Sequence, residues 1–253
     1  MKKFLITCLT LGFTCCAFAQ KAVDFYYHPE IGKTLPVDVS MKTDIDGPQS
    51  MIMDMHMRMQ ILPSKQEQAN ITLETTIKSM KVDVNAGMMT MSYNSEEESA
   101  DDMSKAIGEQ FSKIIDQKIT SIVTDKGKAV DIQLPSGMAV QGFDPNTFSN
   151  MSPSLPNKAV VPGDSWESSA AMPDNPIMAR VEMHSTYREE NKEGYVIDVE
   201  GKLLDKDDQE KGSISGYYIL DKTSHFTKNS SLRTIMEVNG TKLTTDMDMK
   251  VVE

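Results

Sequence analysis

Met51-Ile52-Met53-Asp54-Met55-His56-Met57-Arg58-Met59-Gln60-Ile61 decides how the rest of the chain is read. Side chains of a β-strand point alternately to opposite faces, so Met51, Met53, Met55, Met57, Met59 and Ile61 fall in one row, with Asp54, His56, Arg58 and Gln60 behind it. At about 3.3 Å per residue the stretch spans roughly 36 Å, well beyond an ordinary strand, and predicts a large sheet with one apolar face.

Its neighbours continue the pattern. A strand from Leu35 to Ile45 precedes it across Asp46-Gly47-Pro48, a sequence suited to a tight hairpin. After Pro63-Ser64-Lys65-Gln66-Glu67, residues Ala69 to Val84 carry Ile71, Leu73, Thr75 and Ile77 in alternation, and Met88, Met89, Met91 and Tyr93 suggest a shorter strand. The period then changes. Met103, Ile107, Phe111, Ile114 and Ile115 lie on one helical face, and Ser95 with Glu98 and Ser99 with Asp102 are capping-type starts, which predicts an amphipathic helix at about 99–118.

Short strands follow at Ile119 to Val123 and Val130 to Ile132. Residues 134–162 are rich in Pro, Ser, Asn and Gly and read as an extended crossover, with a short helix near Asp144 to Phe148 and with Phe143, Phe148 and Met151 able to pin it. From Val160 onward the strand pattern returns. Ile177, Ala179, Val181, Met183, Ser185 and Tyr187 alternate with polar residues, and strands at Tyr195 to Leu203, Ser213 to Leu220 and Phe226 to Val238 follow. Asn239-Gly240 then introduces a last strand bearing Leu243, Thr245, Met247, Met249 and Val251.

The expected fold is mainly β: a large curved antiparallel sheet, an open half-barrel, from two meander-like halves with one main helix. Residues 20–133 form the first half, 134–162 the crossover and 163–253 the second half, and 20–253 is expected to be one structural unit. Gly32-Lys33-Thr34-Leu35 beside Gly163-Asp164-Ser165-Trp166 is the trace of a repeat between the halves.

The chain opens with Met1-Lys2-Lys3, an apolar run from Phe4 to Phe18 and Ala17-Phe18-Ala19 before Gln20, the layout of a secretory signal peptide covering residues 1–19. The expected location is periplasmic or secreted. All three cysteines, Cys8, Cys15 and Cys16, lie inside that segment, so a mature chain has no disulfide, zinc-thiolate site or cysteine nucleophile. The residues preceding Cys15 and Cys16 fit a lipid-attachment site poorly, and lipid anchoring is not expected. Cleavage removes two lysines and no acid, taking the formal charge from −11 to −13, which opposes nucleic acid or anionic lipid as a partner. No second apolar run is long enough to span a bilayer.

The sequence contains 20 methionines, and in a thiol-free chain the thioether is the remaining soft metal ligand, suited to Cu(I). Yet His56 points away from the Met row, and same-face neighbours on a strand are about 7 Å apart, so no metal or cofactor site is expected. Met51, Met53, Met55, Met57, Met59, Met247 and Met249 are instead candidates for a pliable core or pocket lining, with an empty cavity behind Met53, Met55 and Met57 as the feature that would mark a pocket. Gly163-Asp164-Ser165 is similar to the nucleophile segment of one lipase and esterase family. The Asp-x-x-His partner is absent, Asp221 and His225 being one residue too far apart, so the segment reads as a turn with Trp166 as a buried anchor. No catalytic residues are expected.

Val160 to Trp166 and Gly216-Tyr217-Tyr218-Ile219-Leu220-Asp221 together resemble a secreted domain-of-unknown-function family of Gram-negative bacteria, and the strand-helix-strand layout is more distantly similar to lipoprotein-carrier half-barrels. That resemblance implies an envelope location and a concave sheet, and no particular activity. The sequence therefore points to a non-catalytic envelope protein holding an apolar ligand such as an acyl chain. The alternatives are a structural or protein-interaction module that engages another envelope protein, and a Cu(I)-binding Met-rich protein.

Overall fold

A computed structural model of the chain describes residues 21–98, 102–135, 153–172 and 177–252. Among them are twelve strands: β1 (Leu35–Asp46), β2 (Met51–Glu67), β3 (Asn70–Ala86), β4 (Met89–Asn94), β5 (Lys118–Thr124), β6 (Ala129–Gln133), β7 (Ser165–Ala171), β8 (Arg180–Glu190), β9 (Tyr195–Leu204), β10 (Glu210–Leu220), β11 (Thr227–Val238) and β12 (Thr241–Val251). One helix, α1 (Asp102–Phe111), lies between β4 and β5. The signal segment with its cysteines lies outside the described residues. So do Phe143, Phe148, Met151 and the short helix expected near 144–148, together with the side chains of Met103 and Ile107.

All the strands join one antiparallel sheet in the order β6-β5-β3-β2-β1-β12-β11-β10-β9-β8-β7, with β4 on the flank of β3. The first and last strands meet in the middle, Val37 opposite Val251 and Met41 opposite Met247. Two meanders thus form one sheet, as expected, and share a seam that the alternation does not predict. Gly32 and Gly163, both with positive φ, turn the chain into β1 and β7 in the same way: each donates its N–H to the end of the following strand, at Pro63 and Tyr187.

The sheet curls without closing, and its core shows how far. Ile71 on β3 and Val123 on β5 share one buried cluster with Tyr187, Ile197 and Tyr218 on β8, β9 and β10, strands from the opposite end of the sheet order. The contact is made through Phe25, Tyr27, Leu155 and Val160. Phe25 is fully buried, edge-on to Tyr187 at 5.3 Å and to Tyr195 at 5.1 Å. The Tyr27 N–H donates to Asp125, its hydroxyl donates to the Pro153 carbonyl at 2.9 Å, and Val23 pairs with Val160. From sequence Phe25-Tyr26-Tyr27 reads as an entry into the first strand. In the structure Phe25 and Tyr27 fill one end of the half-barrel.

A β-bulge bends the first half. β2 and β3 slip register between Arg58 and Met59, where Ser79 and then Ile77 stand opposite, leaving Lys78 as the extra residue. The buried positions of β3 change phase there, from Ile71, Leu73, Thr75 and Ile77 to Met80, Val82 and Val84. Beyond the bulge the far side of β3 changes partner, from β5 along Asn70 to Thr76 to β4 along Lys81 to Ala86. Backbone groups freed in the gap are met by Asp116 N–H on the Ile77 carbonyl and by Ser95, which bonds Met80 through both its N–H and its hydroxyl.

The helix is shorter than the predicted 99–118. It ends at Phe111, whose ring stacks on Tyr93 at 6.0 Å. Ile114 and Ile115, which match the helical spacing, lie in the turn after it, where Ile114 is fully buried and Ile115 makes a bridge to Ile77. Docking these two β-branched residues at the bulge ends the helix, because a continued helix would carry them past the sheet.

Candidate functional site

The inward side chains form rows across the curved sheet. One row runs Val82, Met55, Met41, Met247, Leu232, Gly216, Val199, Ser185 and Trp166, each directly opposite the next. A second, nearer the open end, runs Met53, Thr43, Thr245, Thr234, Ile214, Gly201, Met183 and Ser168. The first row turns from Val, Met and Leu to small Gly216 at β10, and the second from Ile214 on β10 to Gly201 on β9, with Ser185 and Ser168 adding small side chains on β8 and β7. Small side chains over a curved floor leave unfilled volume.

That volume is a cavity of about 230 Å³ over the second half. Met41, Met172, Met178, Met183 and Met247 form much of its wall, with Leu203, Ile214 and Leu232 between them. Among the described residues no Asp, Glu, Lys, Arg or His lines it. Its polar groups are hydroxyls, among them those of Ser168, Ser185, Thr234 and Thr245, and Thr245 shares a hydrogen bond with Thr43 at 3.1 Å. Gly201 has a defined part in its shape: a Cβ there would lie 2.5 Å from Met183 Sδ, so the missing side chain makes room for the thioether.

Burial along β2 rises from half-buried Met51 and Met53, through Met55 and Met57, to Met59, which is 1 % exposed. Of the methionines singled out from sequence, Met247 is on the wall of the 230 Å³ pocket, and Met57 and Met249 border a separate, more open hollow of about 640 Å³ with His56, Arg58 and Met80. Met59 and Met249 line a smaller cavity of about 60 Å³ next to the aromatic plug. Met41 and Met183 were legible as inward positions of alternating strands. Their role needed the small residues opposite them to be recognised.

His56 is exposed on the face away from the Met row, and among the described residues no group of three or more His, Cys, Asp or Glu side chains is placed to hold a metal ion. Gly163-Asp164 forms a turn, in which Asp164 accepts the Val161 N–H, and Ser165 begins β7 with its hydroxyl bonded to Thr186 at 2.9 Å. Trp166 is half-buried, less enclosed than the anchor role suggested, and its indole N–H donates to the Ser154 carbonyl at 2.7 Å. Asp221 accepts the N–H groups of Thr223 and Ser224 in its own turn, and these bonds hold its carboxyl below the usual range against the opposing effect of burial. His225 adopts positive φ and packs against Phe25 and Tyr26, its Nδ1 within 3.2 Å of the Tyr26 N–H; burial lowers its pKa. Burial also pushes the Tyr187 hydroxyl up to about 12 and that of cavity-lining Tyr218 higher still. Among the described residues no helix is long and apolar enough to cross a membrane.

No family model matches the chain, and no curated protein matches it in sequence. Among solved structures the chain is similar to lipovitellin, in a structure concerned with lipid–protein interactions, at a TM-score of 0.57 and 10% identity over 88% of this chain. The chain spans 25% of the lipovitellin chain. A domain described as outer membrane lipoprotein-sorting, from Vibrio parahaemolyticus, aligns over 85% of both chains at 7% identity and a TM-score of 0.30. A LolA superfamily protein from Nitrosomonas europaea aligns over 91% of this chain and 90% of its own at 10% identity and a TM-score of 0.31. The last two superpose too loosely to bear weight, and the lipovitellin likeness is one of fold: a large antiparallel β-sheet.

Proposed function

We propose that the protein is a non-catalytic envelope binder of an apolar ligand, held against the second half of the curved sheet. The observation that carries this reading is the pocket of about 230 Å³, walled by methionine and aliphatic side chains and, among the described residues, lined by no carboxylate, ammonium, guanidinium or imidazole. Unbranched, polarisable methionine repacks around varied apolar shapes, which suits a site that accepts a ligand and releases it. Apolar walls of this kind gain by exchanging water for an apolar ligand. The fold likeness to lipovitellin, whose structure is described for its lipid–protein interactions, is in keeping with this role.

The non-catalytic part of the reading rests on the engagement of the polar candidates. Ser165, Asp164, Asp221 and His225 are each committed to a turn or a packing contact, and among the described residues no carboxylate, imidazole or cation faces the pocket. The test is native mass spectrometry of the mature protein after gentle extraction, together with titration by the apolar fluorophore N-phenyl-1-naphthylamine. Co-purified apolar ligand, or saturable fluorophore binding lost in Met183→Trp, is expected. Absence of both overturns the proposal.

A further inference from the structure

We infer that the cavity takes a single uncharged chain, with an alcohol or ester head, and selects against carboxylates and against two-chain phospholipids; this rests on the binding role proposed above. Size is the first argument. The cavity exceeds the roughly 150 Å³ apolar void that accommodates a benzene ring, yet falls short of the roughly 300–1,000 Å³ of common small-molecule sites. One aliphatic chain fits such a space, and two side by side do not.

Charge is the second argument. An ionised head drawn in with its chain would lose water and meet no counter-charge from the described lining, which among these residues has neither cation nor anion. An anionic head is further disfavoured by the acidic chain around it, with a formal charge of −11 before any cleavage.

The third argument is the polar chemistry that is present. Thr245 and Thr234 stand directly opposite each other on β12 and β11, and Ser168 lies in the same transverse row on edge strand β7. A hydroxyl offers one donor and two acceptor positions, so Thr245 can accept from a further partner whichever way the Thr43–Thr245 bond runs, and can donate to one when Thr43 is the donor in that bond. Neutral heads that donate or accept one or two hydrogen bonds are the natural complement.

The experiment is displacement of N-phenyl-1-naphthylamine from the full mature protein at pH 8 by dodecanol, monododecanoylglycerol, dodecanoate and a short two-chain phosphatidylcholine. The expected result is that the alcohol and the monoester displace the fluorophore at least about tenfold more effectively than dodecanoate or the phospholipid. Thr245→Val should weaken displacement by dodecanol and the monoester, narrowing their lead over dodecanoate, without abolishing fluorophore binding. Ser168→Leu, which fills the cavity from the edge strand, should weaken all four competitors even if Met183→Trp fails to fold. Dodecanoate competing as well as dodecanol overturns the charge selection, and phospholipid competing as well as dodecanol overturns the single-chain reading; both leave the binding role standing. A fluorophore that never binds overturns the binding role itself.

Discussion

Replacing Phe25 with Ala removes the side chain that holds the two ends of the curled sheet together. Phe25 is fully buried and makes edge contacts with Tyr187, Tyr195 and His225 at 5.1 to 5.3 Å. A buried Phe→Ala change costs about 3–5 kcal/mol through lost transfer energy and the cavity left behind, and aromatic pairing places this site at the upper part of that range. Against a total stability of about 5–15 kcal/mol the loss is large. For a chain of this size about 2–4 °C of Tm accompanies each kcal/mol, so the midpoint should fall by about 6–20 °C. The assay is thermal and urea unfolding followed by far-ultraviolet circular dichroism and by fluorescence of Trp166, the single tryptophan, which is bonded to the Ser154 carbonyl beside the plug. Tyr26→Ala, at a ring 44% exposed, is the neighbouring control and should cost less than about 1 kcal/mol. A Phe25→Ala loss as small as the control's would refute the plug.

Acidification should destabilise the protein in two separate windows. Burial lowers the pKa of His225 from its ordinary 6.5, so the unfolded chain binds the proton first and stability falls as pH drops below about 6.5. Asn accepts the positive φ at this position, and His225→Asn should flatten that window in pH-dependent urea melts while leaving the fall at lower pH. The lower window belongs to Asp83 and Asp246, held below their ordinary 3.8 by Ser92 and Arg233 respectively, and their contribution is lost as they protonate. Ser230 Oγ is buried without a hydrogen-bond partner among the described residues, so Ser230→Ala should be neutral or stabilising by about 1 kcal/mol in the same melts. The Met53→Leu, Met55→Leu, Met57→Leu triple variant should retain the fold at a cost below about 1.5 kcal/mol per site, since the swaps nearly conserve volume; collapse of the fold would show that the thioethers do more than pack.

The parts of this architecture written as period-two alternation were readable from sequence, because each strand needs only to bury one face. Met51 to Ile61 and Leu243 to Val251 appear in the structure as inward rows on β2 and β12. The bulge also left a written trace, the phase change between Ile77 and Met80 across Lys78-Ser79, which is visible once looked for. The aromatic plug left none: Phe25 and Tyr27 belong to no periodic segment, and their burial depends on strands far away in the chain. Ile114 and Ile115 misled by fitting a helix that stops at Phe111. The cavity was half legible. Met247 was named as a candidate, but the empty volume is created by what is missing at Gly201, Ser185 and Ser168, and absence of side-chain bulk has no period.

The seam between β1 and β12 has a consequence for how the chain comes to be folded. The middle of the sheet is built from its first and last strands, with Thr43 bonded to Thr245 across 202 residues of sequence. Bringing such distant segments together is entropically slow, and it comes only after nearly the whole chain exists. Until Thr241 to Val251 arrive, β1 and β11 remain open edges carrying Met41 and Leu232, each able to pair with the wrong strand of another molecule. A nascent or truncated chain is therefore a sticky object, and the finished one conceals that hazard at its centre, leaving short β6 and β7 as the outer edges of the strand order.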